Sequence, residues 1–573
     1  MEQKTTWAAS AGAPIDAPTV CGAFQRLVAQ QPTRLALRTR DGSVALNWAQ
    51  LGDRVRQLAA GLAGLGVEPG DTVAMLLPNV PECHMIDLAA IHLGAIPFTI
   101  YNTSPAEQIQ HKLEIADSRI IFTQHSFLPR VLEAKGDLPA LEQVIVIDAD
   151  AGLDEVCAAA DEDFDFEASW RAVDAEDPVT LIFTSGTTGP PKAAEWAHRT
   201  VMSQLRAMAA ALPMPDENLI SFLPMAHAGG RLTGHYFALP HGPTITCCPD
   251  MRELGQYLDE VHPDLLFAVP RVWEKLQVAI ESLIEALPVD QRDDAKRALR
   301  EGDARGPVGP ILHRLGLDRL KVAFVGGAPS APELTTFFRA VGIPLLEAYG
   351  LTEGSLNIFN RIDEFKVGTA GKPLPGVEIR VAGDGELLVR SGLNFLGYRK
   401  QPHETAQTLD AEGWLHTGDI VEIDGGDFVK VIDRKKEIII NAAGKNMSPA
   451  NIESAIKGES SLIGCVVTIG DGRRYNTALV TLDPEAARNH AKDLGLEGKT
   501  FDELATAPEI RAIVEEAVAR GNQRLSRVEQ IKKFALLPVA WLPDSDELTP
   551  TLKLKRRPIA EKYAAEIEAL YAE

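Results

Sequence analysis

The sequence predicts an α/β protein in two unequal parts: a large amino-terminal domain of layered α/β subdomains over residues 1–432, then a small α+β domain over 433–573. Three observations carry this. The chain has 573 residues, more than one hydrophobic core accommodates. Short apolar runs alternate with helical patterns along most of its length, which favours parallel strands layered with helices. Past about residue 375 the text changes to paired strands joined by Gly/Asp turns, the signature of hairpins.

In chain order, DTVAMLLPNV (71–80) reads as a strand, PECHMIDLAAIHLGA (81–95) as a buried helix and IPFTIYN (96–102) as a strand. Ser104-Pro105-Ala106-Glu107 then predicts a helix start with proline first and Glu107 closing a capping box. SRIIFTQ (118–124) and QVIVIDAD (143–150) continue the alternation. KVAFVGG (321–327), a helix near 331–341 and PLLEAYG (344–350) do the same. The charged, helical stretch 281–306 reads as a surface insertion. Hairpins follow in GVEIRVAGDGELLVRSG and in VEIDGGDFVKVIDRKKEIIINAAGKN. SPANIESAIK is a capped helix, GCVVTIGDGRRYNTALVTLD another hairpin, and the domain boundary falls near Asp433.

A net formal charge of −23 sets a field that repels nucleic acid and anionic membranes, so nucleic acid is not an expected partner and any basic cluster must act locally. It leaves anionic small molecules open, because a few placed cations dominate one cleft. The six cysteines have no metal-ligand spacing and read as reduced thiols of a cytoplasmic protein. The amino terminus, MEQKTTWAASAGAPID, lacks a signal peptide's apolar run. The longest uncharged run, Leu88 to Ala106, is broken by His92, Pro97, Asn102 and Pro105 and is no membrane span; peripheral membrane contact stays open.

In LIFTSGTTGPPKAAEWAHRT (181–200), an apolar strand leads into hydroxyls and glycines and then a lysine. Glycines admit positive φ and close backbone approach, and exposed amides make an anion-binding nest. Lys192 adds a point charge, so the object held is a polyphosphate. The Walker pattern is not matched, because Gly189 is followed by Pro190-Pro191-Lys192. Alone, the loop could equally be a surface loop.

It is not alone. TSGTTGPPK, YGLTE (349–353), GWLHTGD (413–419), DRKKEI (433–438) and LKLKRR (552–557) occur in the order found in adenylate-forming enzymes, which the chain resembles over roughly residues 20–565. That family joins acyl-CoA synthetases, luciferases and peptide-synthetase adenylation domains. The resemblance implies ATP, Mg2+ and coenzyme A as reaction partners and a small domain that is mobile. A carboxylate becomes an acyl-adenylate with loss of pyrophosphate, and a thiol then displaces AMP.

Under that resemblance Thr184, Ser185, Gly186, Thr187, Thr188, Gly189 and Lys192 hold the β- and γ-phosphates. The family usually has glycine after the lysine, where this chain has Ala193-Ala194-Glu195, an extra negative charge. Gly327 and Ala328, in VGGAPS, and Tyr349 and Gly350 lie beside adenine; Thr352 meets the α-phosphate, and Glu353 is the magnesium ligand. Asp419 accepts from the ribose hydroxyls, Arg434 contacts ribose or phosphate, and Asp433 is the hinge. Lys435 and Lys436 are equally well solvated charges. Lys553 is the catalytic lysine, with Lys555 its rival; the whole cluster could otherwise be a solubilising tail. Gly444 and Lys445 resemble the loop that admits the pantetheine arm of CoA.

PRVWEKL (270–276), LPMAHAGGR (223–231) and DRKKEIIINAAGKNMSP look like long-chain and bubblegum-type fatty acyl-CoA synthetases. His227 matches a residue lining the acyl site, although a lone histidine is more often structural. Ala228-Gly229-Gly230 after it implies a wide or long acyl channel beginning there. The expected activity is ligation of a medium- or long-chain fatty acid to CoA. An acyl-AMP ligase loading a carrier protein, a ligase for an aromatic or sterol-derived acid, a luciferase-like oxygenase and a non-catalytic binder remain alternatives.

Overall fold

The computed structural model describes residues 12–572 apart from 137, 162, 185–189, 443–444, 543–544 and 550–552. One layer is a parallel sheet ordered Ile96–Thr99, Thr72–Leu76, Ile120–Thr123 and Gln143–Val146. All five residues of Thr72–Leu76 are buried, as a parallel strand covered on both faces requires. Helix Pro81–His92 buries residues around its whole circumference, which is why its apolar residues show no one-sided pattern.

One local expectation is overturned. Helix Ala106–Ala116 is preceded by Pro105 with no side-chain cap. Ser104 does not close a box with Glu107; its buried hydroxyl instead accepts from Lys112 Nζ at 2.9 Å. The ammonium of a buried lysine needs acceptors more than a helix end needs a cap.

A second sheet runs Leu265–Ala268, Val322–Gly326, Leu345–Leu351, Ser355–Phe359 and Lys372–Pro373, its first three strands parallel and the rest antiparallel. The charged stretch forms the end of helix Pro270–Glu285 and helix Val289–Glu301, which fully buries only Ala295. Strands Pro178–Thr184, Lys192–Ala197 and Gly397–Tyr398 form a third, antiparallel sheet. A fourth contains the expected hairpins, Glu378–Val381 with Glu386–Arg390 and Leu415–Ile423 with Val429–Arg434.

The large apolar core extends to Val429, and a separate one begins at Ile439. The second core packs helices Pro449–Lys457 and Pro508–Gln523 on the sheet Ile463–Ile469, Asn476–Leu482, Ile531–Leu536. Ser448 caps the first of these helices through Asn451 N–H, as its sequence implies.

The lobes meet through charges. In PRVWEKL, Trp273 faces inward and donates Nε1–H to Phe324 O at 2.9 Å. Its outward neighbours reach the small lobe: Arg271 pairs with Asp483, Lys275 with Glu485 at 2.8 Å, and Glu274 with Lys457 at 3.6 Å. Arg524 adds a pair to Glu333 at 2.5 Å. Among the described residues, no helix is long and apolar enough to cross a membrane.

Candidate active site

Val322–Gly326 and Leu345–Leu351 are adjacent parallel strands with Gly326 opposite Ala348. Gly327-Ala328 and Tyr349-Gly350 therefore emerge side by side at the carboxyl end of the sheet, where open α/β sheets hold ligands. Gly327 sits at φ +80°, and a Cβ there would meet nothing nearer than Val269 Cγ1 at 3.8 Å, so bare backbone faces open space. A Cβ on Gly350 would lie 2.3 Å from Ser355 O; here glycine is required for the hairpin to close.

That hairpin joins Leu351 to Ser355 through Thr352, Glu353 and Gly354, with Ser355 at φ 56°. Two contacts fix the turn from outside: Trp196 Nε1–H donates to Thr352 O at 2.7 Å, and Phe395 N–H to Glu353 O at 2.9 Å. The Glu353 carboxylate accepts the Tyr398 hydroxyl at 2.6 Å.

Asp419 and Arg434 lie fifteen positions apart in sequence but directly opposite on one hairpin. Asp419, 3% exposed, accepts Arg434 Nε–H at 2.9 Å on Oδ1 and Tyr349 O–H at 2.5 Å on Oδ2. Burial pushes its pKa up, and Arg434, Tyr349 and Lys553 oppose the shift. The Tyr349 phenol is held well above its usual range by burial and by the Asp419 charge, so it stays a donor. Each carboxylate oxygen keeps acceptor capacity for a further hydroxyl.

Thr184 and Lys192 face each other at the ends of paired strands and flank the glycine-rich loop. The five loop positions Ser185, Gly186, Thr187, Thr188 and Gly189 lie outside the described residues. The unexpected Glu195 is neutralised by Arg399 at 3.0 Å.

From the small lobe Lys553 comes close enough to feel the charges of this group. Its side chain keeps contact with water, yet protein walls and the Arg434 charge push its pKa down, while Asp419, Glu353 and Glu437 pull it back up. For His227, burial, with the Lys553 charge, lowers the pKa to about 4, so the imidazole is neutral. Its Nδ1 accepts Gly229 N–H at 3.1 Å, capping helix Ala228–Gly234, so the residue has a structural use. Lys555 is directed elsewhere, its ammonium on Ser545 O at 2.8 Å. Lys435 pairs with Asp384 and with Glu386, a structural tie.

Asp433 ends the large-lobe hairpin and holds the small lobe's first long helix: Oδ2 accepts Ser448 O–H at 2.6 Å and Ala450 N–H at 3.1 Å. Gly444 lies outside the described residues, and Lys445 is exposed, its N–H donating to Asn441 Oδ1 at 3.0 Å. Lys445 is not part of the group around Asp419.

One expectation fails here. Gly229 and Gly230 do not open a wide channel. A Cβ on Gly229 would stand 2.8 Å from Phe267 Cε1, and one on Gly230 would stand 2.3 Å from Pro224 O. The glycines allow close packing, and neighbouring atoms take the space their side chains leave. Sequence reasoning also missed Trp196, Tyr398 and Phe395, which hold the Thr352-Glu353 turn. The only signal was an aromatic residue following strand-like text, which core packing explains as well.

Mg2+ takes one or two protein carboxylates and completes its shell with substrate phosphates and water. Glu353 fits that demand, because Tyr398 occupies one of its oxygens and leaves the other.

Two lobes with charged groups gathered between them suit the class of two-lobed enzymes that bind a nucleotide. The family model for AMP-binding enzymes matches residues 24–399, and that for the AMP-binding enzyme C-terminal domain matches 436–573. The chain belongs to the AMP-binding enzyme family. FadD15 of Mycobacterium tuberculosis, named a long-chain-fatty-acid–CoA ligase, is 34% identical over 558 residues, covering 91% of this chain and 92% of that one. Mouse ACSBG1, of the bubblegum type and also named a long-chain-fatty-acid–CoA ligase, is 28% identical over 94% of this chain and 83% of its own. The crystal structure of the adenylation domain of a carboxylate reductase from Mycobacterium chelonae superposes with a TM-score of 0.78 at 22% identity, over 98% of this chain and 92% of that one.

Proposed function

We propose that this chain activates a medium- or long-chain fatty acid with ATP and transfers the acyl group to CoA, giving acyl-CoA, AMP and pyrophosphate. The reading rests above all on one juxtaposition: a small-lobe lysine, Lys553, faces the large-lobe group Asp419, Arg434 and Glu353. A cation placed there stabilises the charge that develops at the α-phosphorus as the adenylyl group transfers.

In the first half-reaction a carboxylate oxygen bonds to the α-phosphorus as the bond to the β-phosphate oxygen breaks. Lys553 stabilises the charge shared by the attacking carboxylate and the α-phosphate. Thr352 touches that phosphate; the 184–192 loop and Lys192 receive the pyrophosphate. Tyr349 and Gly350, with Gly327 and Ala328, line the adenine. Asp419 holds the ribose hydroxyls, and the Arg434 charge favours its ionised form against burial. His227, neutral, lines the path of the acid. When bound, magnesium neutralises charge on the phosphates, and Glu353 is the residue that would hold it.

In the second half-reaction the thiol sulfur bonds to the acyl carbon and AMP leaves with its oxygen. Residues 433–573 then turn as a lid about Asp433, and the Gly444-Lys445 loop takes the place of Lys553. The separate apolar cores on either side of Asp433 support that boundary. The long-chain-fatty-acid–CoA ligases among the relatives support the choice of acid. A cytoplasmic location with peripheral membrane contact suits such an acid.

The test is ATP–pyrophosphate exchange on the purified protein across fatty, aromatic and sterol-derived acids. Product masses are then measured with free CoA and with a phosphopantetheine carrier. Acid-dependent exchange and an acyl-CoA mass are expected with fatty acids. A thioester formed on the carrier alone would replace the ligase reading with that of a carrier-loading enzyme.

A further inference from the structure

Tyr398 stands between the two oppositely charged residues assigned to the phosphate end of the cleft. Its hydroxyl donates to Glu353 Oε1 at 2.6 Å, and its ring lies 4.8 Å from Lys192 Nζ, centroid to nitrogen. The strand register explains the second contact. Tyr398 is opposite Ala194, so Lys192, two positions before Ala194, projects on the same face.

The tyrosine is held firmly. It is 8% exposed, its ring packs edge-on against Phe395 with centroids 5.0 Å apart, and its N–H donates to Thr405 Oγ1 at 2.9 Å. The hydroxyl is the donor of this pair and the Glu353 carboxylate the acceptor. Phe395 supplies both the ring contact and the N–H that holds Glu353 O, so one short segment, 395–398, fixes the glutamate at backbone and side chain.

We propose that Tyr398 is a positioning residue for magnesium-dependent adenylation, acting as donor to Glu353, as seat for Lys192, and as the spacer that stops the two from neutralising each other. A lysine and a glutamate facing one cleft would otherwise pair directly, and each would then have to be separated before it could meet metal or phosphate. The phenol takes one carboxylate oxygen with a charge-assisted bond, and among the described residues the other oxygen has no hydrogen-bond partner. The ring face gives the ammonium a weak cation–π site from which a phosphate draws it easily. This inference rests on the assignment of Glu353 and Lys192 made above.

Two variants separate the roles. Tyr398→Phe keeps the ring and loses the donor; Tyr398→Gln keeps a donor and loses the ring. ATP–pyrophosphate exchange is titrated with Mg2+ at saturating ATP and acid, and with ATP at saturating Mg2+; thermal melting is run alongside. For Tyr398→Phe the half-saturating Mg2+ concentration is expected to rise about ten-fold or more, the scale of one lost charge-assisted hydrogen bond. Transfer to CoA from pre-made acyl-adenylate should be unchanged. For Tyr398→Gln the KM for ATP should rise more than the Mg2+ requirement does.

A wild-type Mg2+ curve for Tyr398→Phe overturns the inference. So does an equal loss in both half-reactions accompanied by a lowered melting temperature, since a merely structural tyrosine would give it. If Tyr398→Phe does not fold, a Mg2+ requirement in Tyr398→Gln that rises as much as its KM for ATP overturns it instead. Glu353→Gln is the control: if it leaves the Mg2+ requirement unaltered, the underlying assignment falls as well. If it raises that requirement and Tyr398→Phe does not, the inference about Tyr398 alone is lost.

Discussion

On the large lobe, the charged groups of the cleft are tied down in advance: Asp419 by Tyr349 and Arg434, Glu353 by Tyr398. Across the gap, the Lys553 ammonium makes no hydrogen bond or ion pair among the described residues, and its backbone N–H rests on Thr549 Oγ1 at 3.0 Å. One side is a rigid mould, and the other delivers a charge. Preorganised dipoles stabilise a transition state without reorganising. Under the proposed reaction, a delivered cation would let one cleft serve both half-reactions, because it could leave with its lobe.

The sharpest way to break this contrast is Lys553→Ala. Adenylate formation should fall by about 10²–10³-fold, the scale of one lost electrostatic stabiliser, while transfer from pre-made acyl-adenylate stays intact. Equal loss in both half-reactions would mean that the lysine is as fixed a part of the site as Asp419. Asp419→Asn tests the mould itself. It leaves Arg434 facing a neutral group and should cost about 10–100-fold in kcat/KM for ATP, measured by exchange at varied ATP. An effect on the acid's KM alone would move Asp419 away from the nucleotide.

Smaller effects belong to the contacts between lobes. Arg271→Ala should slow adenylation relative to thiolysis only a few-fold, since partly exposed pairs contribute little. In a double-mutant cycle with Asp483→Asn, additive losses would show that the pair does not couple the lobes. The smallest effect concerns protons in the large lobe's core. Burial lowers the pKa of His92 to about 4 and of His198 to about 3, from the usual 6.5. The unfolded chain therefore takes up protons that the folded one refuses, so their contribution to stability is complete above pH 6.5 and is lost as pH falls toward 4. Melting temperatures from pH 7.5 to 4.5 should drop less steeply for His198→Gln than for wild type.

Much of this was legible in the residues. The parallel strands, the late hairpins and the Ser448 cap follow from periodicity and turn chemistry, which are local. What failed was local evidence for non-local facts. Ser104 looks like a cap until Lys112, buried beside it, takes the hydroxyl. Gly229 and Gly230 report missing side chains, but only the fold reveals that Phe267 and the Pro224 carbonyl fill the space. Tyr398 and Trp196 act on a turn 45 and 156 positions away, a distance no pattern in a window of text spans. In PRVWEKL the letters mark a kinship, and three of them also reach the opposite lobe.

The pairs from Arg271, Glu274 and Lys275 have one more consequence. A greasy seam would weld the lobes, because parting it would wet oil. A salted seam comes undone into water that welcomes both halves, so the lid motion proposed above would cost little, and brine should loosen the seam further.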